Sequence, residues 1–333
     1  MRCNMADILD VSEKCPRSAE IADCPKPVPR KEGIWFEIEK ELDRGAHGVV
    51  YVAKDSDSKD IIVKLFSGPP KELEHEICYQ HIASEQDVAP KVLDYWWCEA
   101  KENTALLVMD FGGNTTLENF LKEIANIEIK DLPSLKRALQ AYPAMLALLY
   151  QTLTLNNKAG IFQYDLHLSN ALVTIDENNC VTDLKIIDYG KSESCADVAK
   201  VVREKVCDSE PPEMFNGVAH VYKALFADLL MPLEFYVDEF IGHGSTPETP
   251  PKNPVLGWIY QDLIRQIQHD RTVLNHRSWS VDDVGDHLDD VCGWVEMDLP
   301  DHLVENYPDI VDEKAAVELA SQASQLPTKL QEQ

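Results

Sequence analysis

The chain is short of basic residues. Among 333 residues, Lys and Arg total 31 against 58 for Asp and Glu, a formal charge of -27. A field of that sign repels phosphate backbones and anionic headgroups, so neither nucleic acid nor a membrane surface is an expected partner, and basic proteins are. The sequence also lacks a C-x-x-C pair: nine cysteines (Cys3, Cys15, Cys24, Cys78, Cys98, Cys180, Cys195, Cys207, Cys292) are odd in number and widely spread. That pattern argues against a zinc site and a disulfide framework and for a reducing, intracellular setting, cytoplasmic or nuclear. No apolar run is long enough to span a bilayer, since the longest, Ala141 to Leu155, contains Pro143 and falls short of the roughly 20 residues needed. The N-terminus carries early acidic residues and no apolar centre, so no secretory signal is expected there. What is present, 44% hydrophobic and 27% charged residues, suffices for a substantial core in one two-lobed domain or two ordinary ones.

The most informative stretch is Phe162-Gln163-Tyr164-Asp165-Leu166-His167-Leu168-Ser169-Asn170, followed by Lys185-Ile186-Ile187-Asp188-Tyr189-Gly190. A carboxylate, an amide five residues on, an apolar strand and a second carboxylate against glycine supply one base and two oxygen ligands for Mg²⁺, the needs of phosphoryl transfer. Asp165 is the candidate base; Asn170 and Asp188 are the candidate metal ligands. Taken singly, each also suits a loop residue capping a turn or a carboxylate that ends a strand.

In chain order, residues 1 to about 32 hold four prolines among charged and small residues and read as a flexible tail, with three cysteines that match no ligand spacing. Gly45 and Gly48 then stand three apart before a β-branched run containing Val50, where glycine permits close approach of backbone to phosphate or simply a tight hairpin. Asp60 to Phe66 is a β-rich run with Lys64 near its end. Glu72, Glu74 and Glu76 follow in a helical stretch to about Ala83; of these Glu76 is preferred as a partner for Lys64, with Glu74 second. Two further strands, Lys91 to Trp97 and Ala105 to Met109, complete a small antiparallel sheet. Asp110 to Gly113 is a connector, and Thr116 to Ile124 a short helix. Leu135 to Leu155 is a long apolar helical pattern in which Pro143 marks a restart or a kink.

The order Gly45-x-x-Gly48-x-Val50, Val63-Lys64, Glu76, Asp165-x-x-x-x-Asn170, Asp188-Tyr189-Gly190 resembles the eukaryotic-type protein kinase fold over roughly residues 35 to 240. It is most similar to divergent members, haspin-like and other atypical or viral-type Ser/Thr kinases, in which a histidine stands two residues after the catalytic aspartate. The resemblance implies an α+β, two-lobed fold: a tail over 1–32, a small antiparallel-sheet lobe over 33–110, a mainly helical lobe over 111–313, and a C-terminal helix and tail over 314–333. It implies ATP and Mg²⁺ as cofactors and a protein substrate; a monomer is expected. Lys64 would hold the α- and β-phosphates, Glu76 orient Lys64, Met109 serve as gatekeeper, and Asp110 to Gly112 meet adenine. His167 would face the transferred phosphate in place of the usual lysine.

Three departures qualify that resemblance. Asp43 replaces the first glycine of the loop, Gln163-Tyr164 replaces His-Arg, and His167 replaces lysine. Beyond Gly190 two alignments stand: Pro211-Pro212-Glu213 closing an activation segment, or a truncated segment with Asp197 to Val202 already helical. His220 to Leu230 reads as a core helix, Gly242 to Pro254 as a surface loop, and Trp258, Ile259, Leu263, Ile264 and Ile267 as a core face. Residues 281 to 313 read as a solvated acidic helical face, or alternatively a docking surface for a basic partner, with helix from Ala315 and fraying after Pro327. The sequence therefore leads to an ATP- and Mg²⁺-dependent Ser/Thr phosphotransferase, with a pseudokinase scaffold and a small-molecule kinase as the competing readings.

Overall fold

The structure, a computed structural model, describes residues 36–45, 48–97, 104–194, 253–264 and 282–331, together with 228, 232–233, 235–237 and 240. The expected tail over 1–32, the Pro211–Glu213 motif, the Asp197–Val202 helix and Ile267 lie outside the described residues. The chain is α+β. Five antiparallel strands, β1 (Phe36–Gly45), β2 (Gly48–Asp55), β3 (Asp60–Ser67), β4 (Val92–Trp97) and β5 (Thr104–Asp110), form one sheet in the order β1-β2-β3-β5-β4. Between β3 and β4 the chain forms α1 (Pro70–Glu85), which Pro70 begins at a position where a missing N–H costs nothing.

Alternation along β3 decides how sheet and helix meet. Ile62 and Phe66 fall into one apolar cluster with Met109, Leu107 and Ile77 of α1, while Ile61 and Val63 fall into another with Phe36, Ala53 and Val108. A strand buried on both faces reads as a continuous apolar run, and β3 and β5 do.

The rest of the described residues are mainly helical, with two small sheets. β6 (Thr115–Thr116), β8 (Ala171–Ile175) and β9 (Val181–Ile186) make one; β7 (Ile161–Phe162) and β10 (Glu193–Ser194) make the other. The helices before them are α2 (Leu117–Ala125), capped by the Thr116 hydroxyl, α3 (Leu132–Leu139), with a capping box from Asp131 and Ser134, and α4 (Ala141–Thr154). The long pattern expected over Leu135 to Leu155 is thus two helices broken at Gln140, and Pro143 sits in the first turn of the second, a restart rather than a kink. α4 is apolar nearly all round, and nearly every residue from Ala141 to Leu149 is buried, so it forms the centre of the main core. It ends in a π-helical turn, Leu155–Ala159, closed by Gly160 in the left-handed conformation at φ 68°.

Toward the C-terminus come α5 (Pro254–Ile259), a second π-helical turn (Tyr260–Ile264), α6 (Asp282–Asn306), α7 (Glu313–Ala323) and α8 (Thr328–Gln331). Val295, Leu299 and Leu303 give α6 a buried face at i, i+4, i+8 spacing within its acidic sequence. Two expectations are corrected here. The chain does not fray after Pro327: α8 buries Leu330, and Lys329 pairs with Asp183 of β9 at 3.5 Å. Cys78 in α1 is disulfide-bonded, whereas Cys180 and Cys292 form no disulfide. Spacing along a sequence does not reveal which cysteines fold to within bonding distance. Among the described residues no helix is long and apolar enough to cross a membrane.

Candidate functional site

Lys64 lies on the face of β3 that also carries Ile62 and Phe66, and α1 covers that face. Period-2 geometry therefore turns the lysine inward, where an unpaired ammonium would be costly. It forms an ion pair with Glu76, the residue before buried Ile77, and its ammonium lies 4.5 Å from the centre of the Phe66 ring. Side-chain exposures of 17% for Lys64 and 9% for Glu76 make this a buried pair, not a solvated edge lysine. Glu74 is exposed, so Glu76 is the partner.

The glycine turn has a structural cause of its own. Gly45 pairs with Gly48 across the β1–β2 hairpin; Ala46 and His47 at its tip lie outside the described residues. A β-carbon on Gly48 would stand 2.2 Å from the Leu65 carbonyl oxygen of β3, so only glycine lets β2 approach there. Val50, opposite Lys64, is half-buried beside the same cluster. Asp43 directs its carboxylate to its own neighbour, accepting the Arg44 N–H at 2.8 Å.

The loop from Gln163 to Asn170 is fixed from below by a buried carboxylate. Asp228 accepts the Gln163 N–H at 2.7 Å and the Tyr164 N–H at 2.8 Å. Asn156, in the amide orientation that satisfies both its atoms, donates to Asp228 at 3.2 Å. Burial pushes the Asp228 carboxyl up to about 6, although its bonds to the two amides act to lower it. This anchor holds Tyr164 at φ 61°, a left-handed conformation that costs a residue with a β-carbon about 1 kcal/mol or more. Within the loop, Asp165 N–H donates to Gln163 Oε1 at 2.7 Å, and Asn170 Nδ2 donates to the Asp165 carbonyl at 2.9 Å.

Strand register joins the two motifs. Ala171 of β8 pairs with Ile186 of β9, so Asn170 and Ile187 leave the hairpin at the same end, linked by an Ile187 N–H to Asn170 carbonyl bond of 2.9 Å. Gln163 Nε2 reaches the carbonyls of Ile187, at 3.2 Å, and Asp188, at 2.6 Å. Asp188 too is left-handed, at φ 65°. The next turn brings in the five-stranded sheet and its helix. A β-carbon on Gly190 would lie 3.5 Å from Asp188 Oδ1 and 3.7 Å from Glu76 Oε2. His75 of α1 bonds the Ser192 carbonyl at 2.7 Å. The Lys64–Glu76 pair, Asp188, and the loop bearing Asp165 and Asn170 thus converge on one place.

Other expected site residues sit as follows. Met109 is buried on β5, paired with Ile62. Asp110 accepts an ion pair from Lys59 at 2.9 Å. Gly112 is confined, since a β-carbon there would meet Pro90 at 2.5 Å. His167 turns to the Ser169 hydroxyl at 2.7 Å and sets its ring edge-on to Phe235, with centroids 5.7 Å apart. Asp165 is ion-paired with Lys191, at 2.9 Å.

Sequence reasoning missed Asp228, Gln163 as a brace, and Lys191. Asp228 did carry a signal: a carboxylate inside the apolar run Ala224-Leu225-Phe226-Ala227-Asp228-Leu229-Leu230 must find partners if that run is buried. For Mg²⁺ the donors are hard oxygens. Asn170 commits its Nδ2 to Asp165, which leaves Oδ1 to meet a cation, and the Asp188 carboxylate faces the same convergence. Two such ligands fit an ion that keeps waters and takes the rest of its shell from phosphates. Among the described residues no group of three or more His, Cys, Asp or Glu side chains forms a metal cage. Compared with protein-family models and with curated proteins, the chain matches none.

Proposed function

We propose that this chain is an ATP- and Mg²⁺-dependent phosphotransferase with a two-lobed, protein kinase-like arrangement, transferring phosphate to Ser or Thr hydroxyls of a protein. The observation that carries this reading is the convergence at Gly190. A buried Lys64–Glu76 pair from the five-stranded sheet and its helix meets Asp188 from the helical part, beside the loop of Asp165 and Asn170. In this reading Lys64 binds phosphate oxygens, held in place by Glu76; Asn170 and Asp188 hold Mg²⁺, which supplies charge neutralisation at the phosphates; and Asp165 takes the acceptor's proton. The acidic composition favours a basic acceptor protein.

Turnover of labelled ATP with Mg²⁺ by the whole chain, compared with Asp165→Asn, tests the reading. Transfer to a basic protein substrate is expected, with a loss of roughly a hundredfold or more in the variant. Equal rates in the two proteins remove Asp165 as base. Nucleotide binding with no transfer to any acceptor favours a scaffold, and transfer only to small molecules favours a small-molecule kinase.

A further inference from the structure

Lys191 is unassigned by the sequence motifs, yet it is the residue paired with the candidate base. Its ammonium lies 2.9 Å from Asp165 Oδ2, and its side chain is 66% exposed. The backbone beneath it is firmly held: Tyr189 is fully buried, Ser192 is buried and donates its N–H to the Tyr189 carbonyl at 3.1 Å, and Glu193 pairs with Phe162 in the small β7–β10 sheet. A fixed stem with an unpacked tip suits a side chain that changes partners. Lys64 and His167 are otherwise engaged, Lys64 with Glu76 and His167 with Ser169 and Phe235.

We propose that Lys191 is a catalytic residue that moves from Asp165 onto the terminal phosphate of the bound nucleotide; this rests on the phosphotransferase reading above. A terminal phosphate carries more negative charge than one carboxylate and offers several acceptor oxygens, so it draws the ammonium away. That one motion has two effects: it frees Asp165 to accept a proton, and it neutralises charge on the oxygens of the group in flight. In the transfer, the acceptor's hydroxyl oxygen bonds to the terminal phosphorus while the bond from that phosphorus to its bridging oxygen breaks. The hydroxyl proton goes to Asp165 Oδ2, and the electron pair of the broken bond leaves with the diphosphate.

The test is titration calorimetry of the full chain with Mg²⁺ and either ADP or a non-hydrolysable ATP analogue, on wild type, Lys191→Met and Lys191→Arg. Lys191→Met is expected to bind the triphosphate analogue roughly tenfold or more weakly while ADP affinity stays unchanged, because a charge-assisted bond to the terminal phosphate alone is lost. Lys191→Arg should recover most of that affinity. Thermal melting of all three should agree within a few degrees, as an exposed ion pair contributes little to stability. Turnover by Lys191→Met should fall through kcat more than KM. Unchanged or tighter triphosphate binding by Lys191→Met overturns the assignment while leaving the phosphotransferase reading intact. Wild type that binds neither nucleotide overturns both.

Discussion

Lys64 is a cation that burial alone would expel, and its pairing with Glu76 separates stability from function. Removing one partner of a buried pair leaves an uncompensated charge, so Lys64→Met should destabilise the fold by about 3 kcal/mol in urea unfolding. Lys64→Met combined with Glu76→Leu should recover much of that, since apolar replacements of a buried pair are often neutral, yet should show no turnover. Lys64→Arg keeps the charge but not the geometry, because a planar fork does not fit a site shaped for an ammonium, and it too should lose activity. Asp228 gives a pH signature. Its folded value of about 6 lies above the ordinary 3.8, so the stability it contributes is intact below pH 3.8 and is lost as pH rises through about 6. Relative to Asp228→Asn, wild type should therefore lose about 2 kcal/mol of unfolding free energy between pH 4 and 7. Parallel stability curves for the two proteins would show that Asp228 does not titrate in that window.

Among the elements, the β1–β2 hairpin and the connector after β5 are set by backbone contact. A β-carbon at Gly48 meets a carbonyl oxygen at 2.2 Å, and strand backbone cannot yield as the end of a side chain can. Gly48→Ala should destabilise by about 2–4 kcal/mol in chemical denaturation, with β2 displaced from β3. Gly112→Ala meets the Pro90 ring at 2.5 Å and should be milder, since the ring is a side chain that can shift. A Gly48→Ala protein as stable as wild type would show that the hairpin moves freely over β3. α4 has the opposite character: Leu146 lies within its buried belt, and Leu146→Ala should cost about 2–5 kcal/mol through the cavity it leaves.

At the scale of the whole molecule, the C-terminal segment is part of the packed structure. α8 contributes buried Leu330 and the Lys329–Asp183 pair, and Asp183 also lies 3.4 Å from Lys185. Ending the chain after Leu326 should lower stability by about 1.5–3 kcal/mol, the value of one buried leucine, as read from a shift in denaturant midpoint. An unchanged midpoint would mean that α8 adds nothing to the fold. The net charge of -27 acts at the same scale: association with the basic acceptor proposed above should weaken steeply as salt rises, while melting changes far less.

Local pattern determined a good deal of this. β-rich runs marked the five strands, Thr116 marked the start of α2, and the spacing of Asp165, Asn170 and Asp188 marked residues that the fold does bring near one another, because propensity, capping and turn preferences act over a few residues. Sequence singled out Glu76 over Glu74, but only the packing of α1 on β3 decided that choice, since it depends on which side of a helix meets the sheet. Tertiary structure alone decided three further things. Cys78 came to be bonded, Asp228 was placed beneath a loop 64 to 65 residues earlier in the chain, and Lys191 was set on Asp165. Each joins groups that local sequence leaves unrelated, and for Lys191 the stem is set by the burial of Tyr189 and Ser192.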